Sequence, residues 1–228
     1  AYIPRFSILF ICALGSLAVT AIMFYPSIRT ITGTAFLISM AIGGLSILSN
    51  TFCMLALQYT SSSNTAFIVQ TSVVMTPMLM ALMEKRKPEL KIVLCSLMAL
   101  AGIFLLTCDI GGLRFRVGDI LALCNAFFFS LYLASLKMFS NRVNPVHFTF
   151  VQHATNSAAF LILALLLERG SIDFGVFALP KVFALIAASS LVVIITTLLQ
   201  STAIKYVRPE KATIIYSIEP LAAALLAF

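Results

Sequence analysis

The sequence predicts an all-α, polytopic membrane protein of about eight transmembrane helices, and three observations carry that prediction. Of its 228 residues, 61% are hydrophobic and only 10% are charged, whereas a soluble domain carries roughly 25% charged residues. The charges are confined to short intervals: none falls between Arg29 and Glu84, and the runs 6–28, 92–108, 120–136, 143–167 and 182–204 are also free of them. The runs are continuously apolar instead of alternating, which argues for helices and against a β-barrel. A chain with a mean hydropathy of +1.07 cannot surround itself with a water-facing surface, so its solvent is lipid.

A helix needs roughly 17–25 residues to cross a bilayer. On that length the spans are drawn at 5–25, 34–57, 64–83, 90–108, 118–138, 146–167, 182–204 and 211–228. The long uncharged stretch 30–83 holds two of them, divided by the polar turn Gln58-Tyr59-Thr60-Ser61-Ser62-Ser63-Asn64. Breakers mark the other connections: Pro26, Pro88, Gly111-Gly112, Pro145, Gly170 and Pro209. Only 109–117 and 168–181 are long enough to have loop character. The chain opens on Ala-Tyr-Ile-Pro-Arg without a Met and closes on Leu-Leu-Ala-Phe, so it reads as part of a longer protein.

Lys and Arg set the orientation. Alternate connections place Arg29, Lys85, Arg86, Lys87, Lys91, Lys137, Arg142, Lys205, Arg208 and Lys211 on one side, and Arg5, Arg114, Arg116, Arg169 and Lys181 on the other. The first side is expected to be cytoplasmic. The net charge of +7 therefore reports topology and does not point to nucleic acid. The five cysteines, at 12, 53, 95, 108 and 124, lie in or beside apolar runs with no CxxC pair. They read as small hydrophobes, with no metal or cofactor expected.

An internal repeat is visible. Ala56-Leu57-Gln58-Tyr59-Thr60, ending the second span, resembles Ala203-Ile204-Lys205-Tyr206-Val207, ending the seventh, at an offset of 147. Each is followed by a turn and another apolar span. The equivalent helices differ by an odd number of crossings, so the two copies are expected to run in opposite senses through the membrane. The charge agrees, because the 58–64 turn has no Lys or Arg and the 205–211 turn has three. Secondary transporters often place substrate near the midplane where such inverted copies meet.

These residues resemble the EamA-type permeases of the drug/metabolite transporter superfamily. The resemblance rests on Ala56-Leu57-Gln58-Tyr59 with Ser61-Ser62-Ser63, then Pro77, then Glu84-Lys85-Arg86. It continues with Gly118-Asp119, Asn144-Pro145, Gln152, Ala203-Ile204-Lys205-Tyr206 and Ser217-Ile218-Glu219-Pro220-Leu221. It covers essentially the whole chain. The resemblance implies a ten-helix fold of two inverted five-helix repeats, here 1–110 and 118–228, the first lacking its first helix and the second its last. It departs from the family at Phe127-Phe128-Phe129, where the family often has Trp, and at Met83, where Gly is common. Val73, not Pro, aligns with Pro220, with Pro77 one turn later.

Within the apolar spans the polar residues are the candidates for function. Glu219 lies in the last span beside Pro220, and an ionisable group in the bilayer costs several kcal/mol unless it meets a partner or a cavity. It reads either as a proton-coupling or amine-binding group or as a structural hydrogen-bonding group. Gln70 and Tyr216 sit on the two equivalent helices that Pro77 and Pro220 are expected to interrupt, a pair that lines the central cavity in the resembled family. Asn125 and Tyr132 share a face of the fifth span, and Asn50 lies in the second. Gln152, His153 and Asn156 cluster on the sixth span and read as bonds between helices, and His147 is expected near the cytoplasmic interface. Gly43-Gly44 and Gly102 read as points of close helix packing.

The function this implies is a secondary transporter, permease or exporter, moving a small metabolite such as an amino acid or drug-like solute by alternating access. Its partners would be that solute and membrane lipid, in the cell's inner or plasma membrane, with a homodimer left open. No GxxxxGK[ST] motif is present to bind ATP. The alternatives are a non-transporting scaffold or receptor, which has no need of an inverted repeat, and an intramembrane enzyme. HExxH is absent, and Arg116-Val117-Gly118-Asp119 departs from the Gly-x-Gly-Asp of aspartyl proteases, so no enzyme is expected.

Overall fold

The computed structural model describes residues 5–107, 116–168, 180–216 and 218. Lipid offers no partner to a backbone amide or carbonyl, so spanning segments must satisfy these groups internally as helices. The described residues are accordingly helical, with no strand among them. The helices are α1 (Arg5–Met23), α2 (Tyr25–Ile28), α3 (Gly33–Tyr59), α4 (Ser62–Val69), α5 (Ser72–Met83), α6 (Leu90–Thr107), α7 (Val117–Phe139), α8 (Pro145–Leu167), α9 (Pro180–Tyr206) and α10 (Pro209–Tyr216). Six stretches are long and apolar enough to cross a membrane, α4 and α5 together forming one of them, and Leu90–Gly102 adds a shorter apolar stretch. The eighth predicted span begins as α10, and most of the rest of it, Glu219 and Pro220 included, lies outside the described residues.

The starts of these helices follow from local chemistry. Pro145, Pro180 and Pro209 each open a helix, where the missing amide hydrogen is not needed and φ is already helical. Ser61 caps α4 by accepting from the Asn64 amide at 3.2 Å, and Asn144 caps α8 by accepting from Val146 at 2.9 Å. The predicted turn at Pro26 holds the short α2, which packs on α8.

The helix pattern is doubled. Both α3 and α9 are 27 residues long, and both α4 and α10 are 8. In each pair, starts and ends are offset by 147. The offset also holds where α4 and α10 stop. Thr71 donates its amide to the Ile68 carbonyl at 3.0 Å, and Ile218 donates to Ile215 at 3.1 Å, both tightened bonds to the third residue back.

The third predicted span is not one smooth helix, and its interruption is not at Pro77. Pro77 lies buried inside α5, and the break falls at Gln70-Thr71. Proline cannot donate to the carbonyl of Val73 and its ring crowds that group. The helix responds upstream, where Val73 bonds to Gln70 and Val74 to Thr71 at 3.0 Å, each three residues back.

The chain forms two compact units. The first comprises Ala1–Ile47 and Phe139–Lys205. In it α1 packs along α8, running antiparallel because both of their ends are tied. At one end, Glu168 accepts from the Phe6 amide at 2.8 Å, the Ser7 amide at 3.0 Å and the Ser7 hydroxyl at 2.7 Å. Its carboxylate thus satisfies amides that open α1. At the other, His147 Nε2 lies 2.8 Å from the Ser27 carbonyl and 3.3 Å from the Ser27 and Thr30 hydroxyls. A carbonyl only accepts, so Nε2 carries a proton. Gly15 admits Ser190, whose hydroxyl would stand 2.7 Å from an added Cβ.

The second unit comprises Leu48–Met138 and Tyr206–Phe228. In it α5, α6 and α10 pack on one another, and α4 packs on α6. One end is tied by Asp119, which accepts from the Thr60 hydroxyl at 2.8 Å and from the Arg116 amide at 2.7 Å. Gly118 permits this, because a Cβ there would stand 2.7 Å from the Thr60 amide nitrogen. The other end is tied by ion pairs. Arg86 binds both Glu84 and Glu210, and Arg208 pairs with Glu89 at 2.8 Å. Between the two ends run α4 and α5, a 22-residue stretch that spans roughly 33 Å at helical rise. In each unit, every one of these ties joins turns that the Lys and Arg count assigns to the same side.

Not every packing expectation holds. An added Cβ at Gly43 would make ordinary contact with Gln152 and Thr155, while at Gly44 and Gly102 it would meet nothing within 4 Å. Among the described glycines, the close approaches are at Gly15 and Gly118.

Candidate functional site

All the candidate residues that are described, Asn50, Gln70, Pro77, Asn125, Tyr132 and Tyr216, fall in the second unit. Glu219 and Pro220 lie outside the described residues, so the structure adds nothing to their reading.

Asn125, on α7, is 5% exposed. Its Nδ2 donates to the Ser49 carbonyl at 2.6 Å and lies 3.0 Å from the Ser49 hydroxyl. The carbonyl can only accept, which fixes the amide's orientation. Oδ1 therefore points away from Ser49, buried and without a hydrogen-bond partner. Asn50, the next residue on α3, is half-buried. Further along α7, the buried Ser130 hydroxyl donates to the Ser72 carbonyl at 3.3 Å, in the first turn of α5 beyond the break. Tyr132 is buried, its ring stacked on Phe129 with centroids 6.1 Å apart. Phe128, in the triple-Phe run, stacks on Phe52 of α3 at 5.5 Å.

Gln70 is the residue at the break itself, closing α4, and it is half-buried. Tyr216 is the last residue of α10 and occupies the matching stretch of the second copy. Four more described oxygens in this unit are buried without a hydrogen-bond partner: Thr51 Oγ1 on α3, Thr76 Oγ1 on α5, Ser96 Oγ on α6 and Glu210 Oε2 on α10. Buried hydrogen-bonding groups of the second unit thus lie on α3, α5, α6, α7 and α10. Among the described residues there is no cluster of His, Cys, Asp or Glu fit to hold a metal ion.

In the first unit, Gln152 donates to the Ser46 hydroxyl at 3.2 Å, a bond between helices as expected. Its neighbours differ, because His153 Nε2 and Asn156 Oδ1 are buried without hydrogen-bond partners.

Several structurally decisive residues were not singled out from sequence: Ser49, Thr51, Thr60, Ser72, Thr76, Ser130, Glu168 and Glu210. The acids carried a usable signal. The chain has only eight Asp and Glu, and Glu84, Glu89, Asp119, Glu168 and Glu210 are each bonded. At the basic end, the Glu84 carboxylate first, and Glu210 after it, push the Arg86 pKa up from its ordinary value.

Comparison with known proteins adds three findings. The model of the EamA-like transporter family matches residues 1–108 and again 116–228. An "Uncharacterized transporter" from Archaeoglobus fulgidus is 29% identical over 214 residues, covering 91% of this chain and 64% of that protein. The chain thus spans just under two thirds of that relative's length. A crystal structure sharing 17% identity superposes with a TM-score of 0.82, over 99% of this chain and 78% of that one, which is a likeness of fold.

Proposed function

Because the chain belongs to the EamA-like transporter family, we propose that it forms the repeat-bearing part of a secondary transporter that carries a small solute across the cell's inner or plasma membrane by alternating access. The observation that carries this reading is the doubling at 147. Helices α3 and α4 are matched in length and spacing by α9 and α10. Within the second unit, the turn before α4 is tied to the start of α7, whereas the turn before α10 is tied to the end of α5. Copies that enter the bilayer from opposite faces can exchange conformations. That exchange opens a solute site first to one side and then to the other.

The solute path fits the second unit, where the interrupted helix α4–α5 packs against α10. A tightened turn at 68–71 interrupts the regular helical bonding between α4 and α5, and Ile218 makes the matching bond to Ile215 where α10 ends. Such breaks are tolerated at membrane depth where protein or an aqueous cavity lies alongside. Asn50, Gln70, Asn125, Tyr132 and Tyr216 supply hydrogen-bonding groups, and Glu219 is the coupling or amine-binding candidate. The polar groups singled out in the spans are mostly uncharged, which favours neutral or zwitterionic, partly apolar solutes such as amino acids.

Three experiments test the reading. Reporter tags in the 58–64 and 205–211 turns of the full-length protein should face opposite compartments, and tags facing the same compartment would overturn the inverted arrangement. Proteoliposomes of the full-length protein, loaded with an amino-acid mixture, should show counterflow of a labelled amino acid above empty vesicles. Flux absent for amino acids and for drug-like amines would overturn transport. If Glu219 couples protons, Glu219→Gln should leave flux independent of pH.

A further inference from the structure

We infer that Arg86 and Glu210 form an ionic latch that closes the basic end of the second unit, so that this end opens only when their pair separates. The inference rests on the transport reading, since a latch has work to do only in a protein that alternates between states.

The geometry is specific. Helix α5 ends in a Schellman arrangement, with Lys85 donating to Leu82 at 3.2 Å and Arg86 donating to Ala81 at 2.9 Å. The residue at the left-handed position, φ 50°, is Lys85, where glycine is the usual occupant. A lysine held in that conformation is strained, and backbone strain concentrates at switching and binding segments. Here it turns Arg86 back toward α10. The guanidinium holds Glu84, which closes its own helix, with Nε, and Glu210 with Nη2. The pair therefore reaches from the end of α5 to the first turn of α10.

Its two ends are in unlike environments. Glu210 is 1% exposed, and its second oxygen, Oε2, is buried with no hydrogen-bond partner. A carboxylate so placed depends on Arg86, because removing one partner strands a buried charge. Glu84 is exposed and can exchange the arginine for water. Two carboxylates share one guanidinium, so the group can keep one pair as it gives up the other. The neighbouring Arg208–Glu89 pair is exposed on both sides, a position in which ion pairs contribute little. The closure therefore falls to Arg86 and Glu210. One of the helices they join, α4–α5, carries the break at Gln70-Thr71, about four turns from the latch.

The test is hydrogen–deuterium exchange on the full-length protein in lipid nanodiscs, comparing wild type with Glu210→Gln, Arg86→Gln and the double variant. This readout requires no transported solute, so its failure is distinct from an absence of flux. Glu210→Gln should raise exchange about tenfold in 207–216 and 84–89 while 117–139 stays as in wild type. The double variant should exchange no faster than Arg86→Gln alone, because the two residues act through each other. Unchanged exchange at 207–216, single effects that multiply in the double variant, or a loss of protection spread over the whole chain would each overturn the latch. Should Arg86→Gln fail to fold, Arg86→Lys replaces it in the cycle, with the same requirement of non-additivity.

Discussion

Asn125 directs its side-chain amide group at Ser49, donating to the carbonyl at 2.6 Å and lying 3.0 Å from the hydroxyl. One polar side chain on α7 thereby registers that helix against α3, and its carbonyl oxygen is left buried and unpaired. Asn125→Ala is expected to lower stability by about 0.6–1.7 kcal/mol, the range for hydrogen bonds between membrane helices. Asn125→Asp should cost more at neutral pH, since a carboxylate cannot donate to a carbonyl. Equilibrium unfolding in mixed micelles measures both, and an aspartate variant as stable as wild type would contradict the assigned orientation.

Gly118 is the position in the second unit where a methyl group has nowhere to go. Its added Cβ would lie 2.7 Å from a backbone nitrogen, that of Thr60, which cannot rotate away. Gly118→Ala should therefore cost about 1–3 kcal/mol by overpacking and loosen the Thr60–Asp119 bond. Gly44→Ala meets nothing within 4 Å and should gain up to about 1 kcal/mol from helix propensity. Thermal melts of the two variants should move in opposite directions.

Glu168 gathers three donors from Phe6 and Ser7. In Glu168→Gln one acceptor oxygen becomes a donor that faces other donors. A loss of about 1 kcal/mol, typical of a helix cap, is expected. Where α1 opens locally, this corresponds to roughly fivefold faster amide exchange at Phe6 and Ser7. Exchange that does not change would mean that the carboxylate is dispensable there.

Lys85 at φ 50° is strained as a non-glycine residue. Lys85→Gly should stabilise the chain by about 0.5–1 kcal/mol, by removing the cost of a Cβ in the left-handed region. A variant less stable than wild type would show that the lysine side chain contributes more than its backbone strain costs.

Glu89 pairs with Arg208 at the surface. Glu89→Gln should change stability by no more than about 0.5 kcal/mol, as exposed ion pairs do, in contrast to the buried Glu210. A loss near that of Glu210→Gln in the same unfolding assay would remove the distinction between the two pairs.

The span positions were legible because lipid leaves a backbone no choice but helix. Glu84, Pro88, Pro145, Pro180 and Pro209 stand where charge or proline must end a run. The break at Gln70-Thr71 was not legible in the same way. Pro77 is the visible irregularity, yet the helix relieves it upstream, where bonds to the third residue back can form. Gly44 and Gly102 look like packing glycines in sequence and pack against nothing described, while Gly118 lies against Thr60, 58 positions before it. Likewise, nothing local to Arg86 announces that its partner is Glu210.

The sequence by itself determined that this chain spans lipid, where most of its helices begin, which of the tied turns share a side within each compact unit, and that α3–α4 recurs as α9–α10 at an offset of 147. Each is encoded locally, in the spacing of charge and proline against a uniform apolar background. Only the tertiary structure decided that each compact unit draws on both halves of the chain, that Asn125 meets Ser49, and that Arg86 meets Glu210. The reason is the solvent. In water a helix advertises its buried face by being polar on the other, but in lipid both faces are apolar. The pattern of a span therefore leaves its neighbours unspecified until packing and a few hydrogen bonds select them.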